Sequence, residues 1–216
     1  HVASPDEIAS LADIARRHDL AIISDEVFSE FLLNKEPLPR PSDSDAPLVF
    51  TLNGFSKMFA LPGLKFGWMA VSGESGKVRQ ALHALELISD TFLPVNEIIQ
   101  AAAPDIFLYG RSVADEFSGR IRECWKLTED ILAHGRNLGY VGPGGGFYVT
   151  IKLHDRDEEQ TAESILRENN LLVHPGYFYD MEPHHLVLSF VQAPEVIREA
   201  CPKLVKTVNA MHPDRG

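Results

Sequence analysis

The sequence has few cysteines and no long apolar run, the features that mark disulfide-rich and membrane proteins. It holds 2 cysteines in 216 residues, Cys124 and Cys201, so we expect no disulfide framework. Asp, Lys, Pro or Gly interrupts every apolar run well before it could span a bilayer, and no charged-then-apolar signal segment opens the chain. The sequence therefore predicts neither a membrane protein nor a disulfide-stapled one, and the cytoplasm is the expected compartment.

Basic residues are also in deficit. The chain has 20 Lys and Arg against 31 Asp and Glu, which gives a formal net charge of −11 at pH 7. Because this charge repels polyanions, nucleic acid and anionic membrane surfaces are not expected as main partners. The 44% share of hydrophobic residues is enough for a sizeable core, as in a soluble acidic enzyme. The chain opens at His1 rather than Met, directly before a helix start, and we expect a fragment or a processed chain.

One lysine lies between two segments that are typical of buried strands. Residues 49–52 and 66–71 are apolar or β-branched, and Lys57 stands in the Gly- and Pro-containing stretch between them. The simpler interpretation is a surface lysine in a loop. A charged group at the junction of two buried strands favours a functional one, because its burial would otherwise be costly.

A carboxylate follows an earlier predicted strand. The run Ser4-Pro5-Asp6-Glu7 predicts a capped helix that ends near His18, and residues 21–24 then predict a short buried strand. Asp25 stands at the carboxyl end of that strand, which is where ligands bind in open α/β sheets. The alternative is a carboxylate that only caps the next turn.

The remaining elements follow from apolar periodicity and from Gly and Pro punctuation. Helices are predicted at 76–90, 95–108, 157–169 and from Pro194 onward, a long mixed helical pattern at 111–138, strands at 147–153, 171–174 and 186–190, and an exposed loop at 37–47. The glycine-rich run 142–146 precedes a strand rather than a helix, so it is not a phosphate loop. The pair His184-His185 lacks the spacing of further ligands, and no metal site is predicted.

The stretch from Ser56-Lys57 through Ala-Leu-Pro-Gly-Leu-Lys-Phe-Gly-Trp68 resembles the signature of class I/II aminotransferases, the fold type I enzymes that use pyridoxal 5'-phosphate (PLP). This resemblance implies an α/β fold: the second half of the large PLP-binding domain, a mainly parallel sheet with helices, followed by a C-terminal α+β small domain. It implies a division into residues 1–110, part of the large domain, and 111–216, which begin with the interdomain helix.

The resemblance also implies roles for individual residues. Lys57 would be the catalytic residue, because in this family the lysine forms the Schiff base, or internal aldimine, with the cofactor. Asp25 would be a buried carboxylate that pairs with the protonated pyridine nitrogen. Phe28 replaces the usual tyrosine, so one hydrogen bond to the ring oxygen would be missing. Ser56 would lie in the cofactor site, and Lys65, at the place of an arginine, would neutralise the phosphate as a point charge.

The sequence departs from the family pattern at two further places. Gly54 stands where a phosphate-binding serine is frequent, and Val187 stands where most relatives carry the arginine that grips the substrate α-carboxylate. The segment His174-Pro-Gly-Tyr-Phe178 nevertheless looks like the family's Pro-Gly segment beside the substrate.

The function implied is amino group transfer between an amino acid and a 2-oxo acid, with PLP as cofactor and a homodimer as the full-length form. Two alternatives stay open: a PLP-dependent β-lyase of the same fold, and the non-catalytic PLP-binding effector domain of a transcription regulator. An upstream helix-turn-helix would favour the regulator.

Overall fold

The computed structural model describes residues 2–34, 38–92, 94–154 and 156–210. The chain divides into two compact units, His1–Phe117 and Ser118–Gly216. The α-helices of the described residues are α1 (Pro5–His18), α2 (Phe55–Met58), α3 (Ser75–Thr91), α4 (Glu97–Leu132), α5 (Glu158–Asn169) and α6 (Pro194–Ala210). The strands are β1 (Ile22–Asp25), β2 (Leu48–Gly54), β3 (Gly67–Gly73), β4 (Leu138–Val141), β5 (Tyr148–Leu153), β6 (His174–Pro175) and β7 (His185–Ser189).

The first helix forms where its capping sequence predicts it. The Ser4 hydroxyl accepts a hydrogen bond from the Glu7 amide, and the Glu7 carboxylate accepts one from the Ser4 amide at 2.7 Å. Pro5 occupies the first helical position, and Asp19 ends the helix in the left-handed conformation. These caps satisfy backbone groups that a bare helix end leaves unpaired. The predicted end near His18 is confirmed.

The first unit contains a three-stranded sheet in the order β1-β2-β3. Strands β1 and β2 are parallel, and β3 is antiparallel to β2. The burial predicted for the strands at 21–24 and 66–71 is wrong: β1 and β3 are the outer strands, and neither contains a buried residue. Ala12 of α1 packs with Ala46 and Val49 against one face of this sheet. Because β1 and β2 run in the same direction, their carboxyl ends lie at the same edge, with Asp25 opposite Leu52 in the register.

The long helix α4 corrects two predictions. A break near Gly110 was expected between helices at 95–108 and 111–138, whereas α4 runs unbroken for 36 residues. Glycine occupies position 110 for a packing reason and does not end the helix: a Cβ there would lie 3.0 Å from ring atoms of Phe59. The helix also ends before residue 138, because strand β4 begins at Leu138. The helical pattern predicted for 111–138 extends to this residue, so β4 was not predicted.

The second unit contains an antiparallel sheet in the order β4-β5-β7-β6. Alternate residues of β5 are buried on one face, as a half-buried strand requires, and they are Val149, Ile151 and Leu153. Helices α5 and α6 pack against each other in this unit. The strand predicted at 171–174 is wrong over most of its length, because β6 consists only of His174–Pro175 and Leu172 is exposed.

The loop before β2 is less exposed than predicted. Residue 37 lies outside the described residues, and the rest of the segment includes a 3-10 helix at Pro41–Asp43 and the buried Ala46. None of the helices in the described residues is long and apolar enough to cross a membrane.

Candidate active site

Lys57 is held at the carboxyl end of a sheet strand. Strand β2 ends at Gly54, and the short helix α2 follows at once with Ser56 and Lys57 as its second and third residues, both half-buried. Phe55, the first residue of α2, is fully buried. Its ring contacts other aromatic rings at centroid distances of 5.3, 4.4, 5.7 and 5.1 Å, those of Phe59, Phe66, Trp68 and Phe107. This aromatic cluster fixes the backbone that carries the lysine.

The segment that follows β1 lies beside this lysine. The Nζ atom of Lys57 lies 5.9 Å from the centroid of the Phe28 ring, at the outer limit of a cation–π contact. Phe28 is half-buried and meets Phe31 edge to face at 6.5 Å. The residue that replaces the usual tyrosine is therefore a direct neighbour of the predicted catalytic amine.

Asp25 is exposed in this chain, whereas the sequence predicts a buried carboxylate. Its Oδ1 atom accepts a hydrogen bond of 3.2 Å from the Val27 amide, so the carboxylate caps the turn after β1. The turn-capping alternative raised from the sequence is thus observed. The pairing of Asp25 with a pyridine nitrogen stays a prediction.

An ion pair made by a buried carboxylate next to Asp25 was not predicted. Glu26 is only 6% exposed, and its carboxylate pairs with Arg40 and accepts a hydrogen bond of 3.2 Å from Ser24. This pair joins the end of β1 to the segment before β2. The one signal in the sequence is the charge of Glu26 at a strand end, and the spacing of 14 residues to Arg40 gives no indication of the pairing.

Asn53 makes a second link between the two strand ends. Its side-chain amide donates to the Ser29 hydroxyl at 3.2 Å, and its Oδ1 atom accepts from the Gly54 amide at 2.7 Å. The Asn53 side chain therefore ties the turn after β1 to Gly54, the residue that precedes α2. Sequence reasoning missed this link too, because an asparagine in a strand carries no pairing signal of its own.

Gly54 and Lys65, the two positions that the resemblance relates to the cofactor phosphate, differ in packing. A Cβ at Gly54 would lie 2.8 Å from the Phe66 carbonyl oxygen, which accepts the Phe55 amide at 3.0 Å, so serine does not fit here without a backbone shift. Lys65 is exposed and follows the 3-10 helix Pro62–Leu64 in the left-handed region, with φ of 53°. Its side chain is accessible to an anion.

In the second unit, position 187 is apolar and shielded. Val187 is 9% exposed and lies on β7 opposite Thr150 of β5 and His174 of β6. A hydrogen bond of 2.7 Å joins Nδ1 of His174 to the Tyr179 hydroxyl. The valine side chain at this position carries no charge with which to bind a carboxylate.

Comparison with known proteins decides the family. The family model described as Aminotransferase class I and II matches residues 1–204. The chain belongs to this family. Solved structures agree with the predicted fold: an alanine aminotransferase from Pyrococcus furiosus superposes with a TM-score of 0.85 at 20% identity, over 96% of this chain and 54% of that one. A tyrosine aminotransferase from Leishmania infantum gives 0.84 at 21% identity, over 94% and 52%.

Curated members of the aminotransferase family align along nearly the whole chain. The glutamate-pyruvate aminotransferase AlaA of Escherichia coli K12 is 26% identical over 230 residues, which cover 98% of this chain and 54% of that protein. A probable aspartate aminotransferase of Methanocaldococcus jannaschii is 28% identical over 207 residues, covering 92% and 52%. The chain thus spans about half the length of the curated aminotransferases it matches, and the expected family and fold are confirmed.

The donor set at this edge of the sheet suits the cofactor that the aminotransferase family implies. Lys57 offers a primary amine on a rigid backbone, Asp25 an accessible carboxylate, and Lys65 an accessible cation. These are the groups that an aldehyde, a protonated pyridine and a phosphate each require. Within the described ranges no three His, Cys, Asp or Glu side chains are grouped to hold a metal ion.

Proposed function

We propose that the protein to which this chain belongs transfers an amino group between an amino acid and a 2-oxo acid, with PLP as its cofactor. The observation that carries the proposal is the position of Lys57, on an aromatic-anchored helix at the end of β2 and 5.9 Å from the Phe28 ring that follows β1. The matching relatives that carry aminotransferase names support the reaction class.

The cofactor, when bound, supplies an aldehyde that condenses with amines and a cationic ring that draws electrons from the substrate carbon. Lys57 would bind it covalently through Nζ, and that amine, once displaced by the substrate, would move a proton at the substrate α-carbon. Asp25 would hold the proton on the ring nitrogen by charge. Lys65 would offset the charge of the phosphate, and Ser56 and Phe28 would line the cofactor.

The substrate side of the proposal concerns the carboxylate of the amino acid. With Val187 at the usual arginine position, selection for the substrate carboxylate by this route would be weakened, because valine makes no charge-assisted contact. We assign residues 1–110 to the large PLP-binding domain and 111–216 to the interdomain helix and small domain. An amino acid and a 2-oxo acid are the proposed small-molecule partners, the full-length protein is proposed to be a homodimer, and its proposed compartment is the cytoplasm.

The test uses the full-length protein with PLP and a panel of amino acid donors with 2-oxo acid acceptors. Wild-type protein should form the amino acid of the acceptor, and Lys57→Arg should form none, because a guanidinium keeps the charge but cannot make the covalent bond. Lys126→Ala, which removes an exposed lysine of α4, is the matched control and should keep full activity. Equal turnover of Lys57→Arg and wild type would refute the proposal.

A further inference from the structure

Glu26, the residue that follows strand β1, is fixed through both its side chain and its backbone. Its buried carboxylate pairs with Arg40 and accepts the Ser24 hydroxyl at 3.2 Å. Its backbone amide donates to the Leu52 carbonyl of β2 at 2.9 Å, and its own carbonyl accepts the Ser29 amide at 2.9 Å. Glu26 therefore joins the segment before β2 and β2 itself to residues 25–29, which we call the β1 turn.

The side chains of β1 alternate between the two faces of the sheet, as the pleat of a strand requires. Ile22 packs against the core beneath α1, and the half-buried Ser24 lies on the same face. The contact with the Ser24 hydroxyl places the Glu26 carboxylate on this face too. Ile23 and Asp25 lie on the opposite face and are exposed. Fixing Glu26 on the α1 face therefore directs Asp25 to the other face.

The orientation of the Asp25 carboxylate depends on the backbone of the β1 turn. Its Oδ1 atom accepts the Val27 amide at 3.2 Å, and Glu26 is the residue between the two. The side chain of Glu26 is 5% exposed, whereas that of its partner Arg40 is 39% exposed. Because a charge-assisted hydrogen bond is stronger than a neutral one, the pair holds this backbone more firmly than a neutral side chain would.

We propose that Glu26 is a positioning residue, which through its pair with Arg40 holds the β1 turn so that the Asp25 carboxylate faces the ring nitrogen of the cofactor. This inference rests on the proposed function and adds a residue to its site. A group that stabilises charge during a reaction must keep its position, since a small displacement costs much of the rate. The charge of Glu26 itself is directed to Arg40, on the opposite face of the sheet from Asp25.

The experiment introduces Glu26→Gln into the full-length protein with PLP, alone and together with Asp25→Ala. Glutamine has nearly the same shape as glutamate but no charge, so the pair with Arg40 is weakened while the space stays filled. In a single-turnover half-reaction followed by absorbance, we expect Glu26→Gln alone to slow proton removal from the substrate about tenfold. In the Asp25→Ala background the same change should alter the rate by less than about twofold, because the residue that it positions is gone.

Hydrogen exchange gives a second measurement that needs no cofactor. In the full-length protein without PLP, exchange at the Val27 and Ser29 amides should accelerate severalfold in Glu26→Gln, because both amides donate within the β1 turn. Arg40→Gln weakens the pair from its more exposed side and should give the same results for exchange and proton removal. Glu86→Gln, at an exposed glutamate of α3, is the matched control and should change neither quantity.

The outcomes separate this inference from the proposed function. Equal slowing by Glu26→Gln with and without Asp25 would assign Glu26 a structural role alone, and would overturn the inference while the proposed function stands. Faster amide exchange with unchanged proton removal, or slower proton removal with unchanged exchange, would overturn it in the same way. Wild-type protein that removes no proton from any amino acid donor would instead overturn the proposed function, and this inference with it.

Discussion

The Nζ atom of Lys57 lies 5.9 Å from the centroid of the Phe28 ring. This distance brings together two segments that are 29 residues apart in the chain, the turn after β1 and the helix after β2. Parallel pairing of the strands accounts for it, since it sets both carboxyl ends at one edge. The two chemical groups singled out from the sequence, Asp25 and Lys57, therefore belong to neighbouring segments of one unit.

Replacement of Asp25 by alanine should separate cofactor attachment from turnover. The variant keeps Lys57, so PLP should still attach, while proton removal from the substrate should slow by a factor on the order of a hundred or more, because the ring loses its charge partner. The measurement is a single-turnover half-reaction followed by absorbance. Asp43→Ala, at an exposed carboxylate of the same unit, is the control. Unchanged turnover in the Asp25 variant would refute this role.

Val187→Arg should restore a charged partner for the substrate carboxylate. A bidentate, charge-assisted contact is worth on the order of 2 kcal/mol, so amino acid affinity in the full-length enzyme should increase severalfold or more. Val187→Met adds length without charge and controls for the packing change at this shielded position. If the arginine variant lowers turnover for every amino acid tested, another group already holds the carboxylate.

Gly54→Ser should destabilise the fold instead of improving phosphate binding. The added Cβ would lie 2.8 Å from the Phe66 carbonyl oxygen, a backbone atom that cannot move alone. We expect a loss of about 1–3 kcal/mol in the free energy of unfolding of this chain. Gly63→Ser is the matched control, because a Cβ there meets nothing within 4 Å. Equal stability of the two variants would contradict this prediction and show that the backbone at the end of β2 can shift without a measurable cost.

The buried thiol of Cys201 should make stability depend on alkaline pH. Burial raises the pKa of Cys201 from 9.0 to about 11. Between these values the unfolded state binds fewer protons than the folded state, so the free energy of unfolding falls as pH rises. The contribution of the protonated thiol to the free energy of unfolding is fully present below pH 9. About 2–3 kcal/mol of that free energy is lost by the time the pH has passed 11.

Denaturant unfolding of wild type and Cys201→Ala across pH 8–11.5 measures this loss. The difference between the two proteins should shrink as pH rises, since alanine has no proton to lose. Parallel pH profiles would show that the thiol ionises equally in both states.

The sequence predicted the local features of the fold well. Ser4 and Glu7 predicted a capped helix, and composition predicted a strand on either side of Lys57. The burial predicted for the second of these strands is wrong, since β3 contains no buried residue. The helix break at Gly110 was wrong because the reason for that glycine is the ring of Phe59, which lies 51 residues earlier in the chain. Intrinsic propensity is overridden where such tertiary packing decides.

The same limit explains what the sequence did not show at the candidate site. Glu26 pairs with Arg40, and the Glu158 carboxylate accepts the backbone amides of Tyr177 and His185. Both contacts depend on how segments distant in the chain meet. Neither residue has a spacing that predicts its partner. The exposure of Asp25 was also missed, because a short apolar strand predicts burial for its neighbours without revealing what covers its end.

The most direct test of the role proposed for Lys57 is to identify the residue that binds PLP covalently. Full-length protein is loaded with PLP, reduced with borohydride and digested, and the peptides that carry the cofactor are sequenced by mass spectrometry. We expect the label on the peptide that contains Lys57, and no label in Lys57→Arg, since only a primary amine forms the reducible bond. A label on Lys65, or equal labelling of the Lys57→Arg variant, would contradict the account.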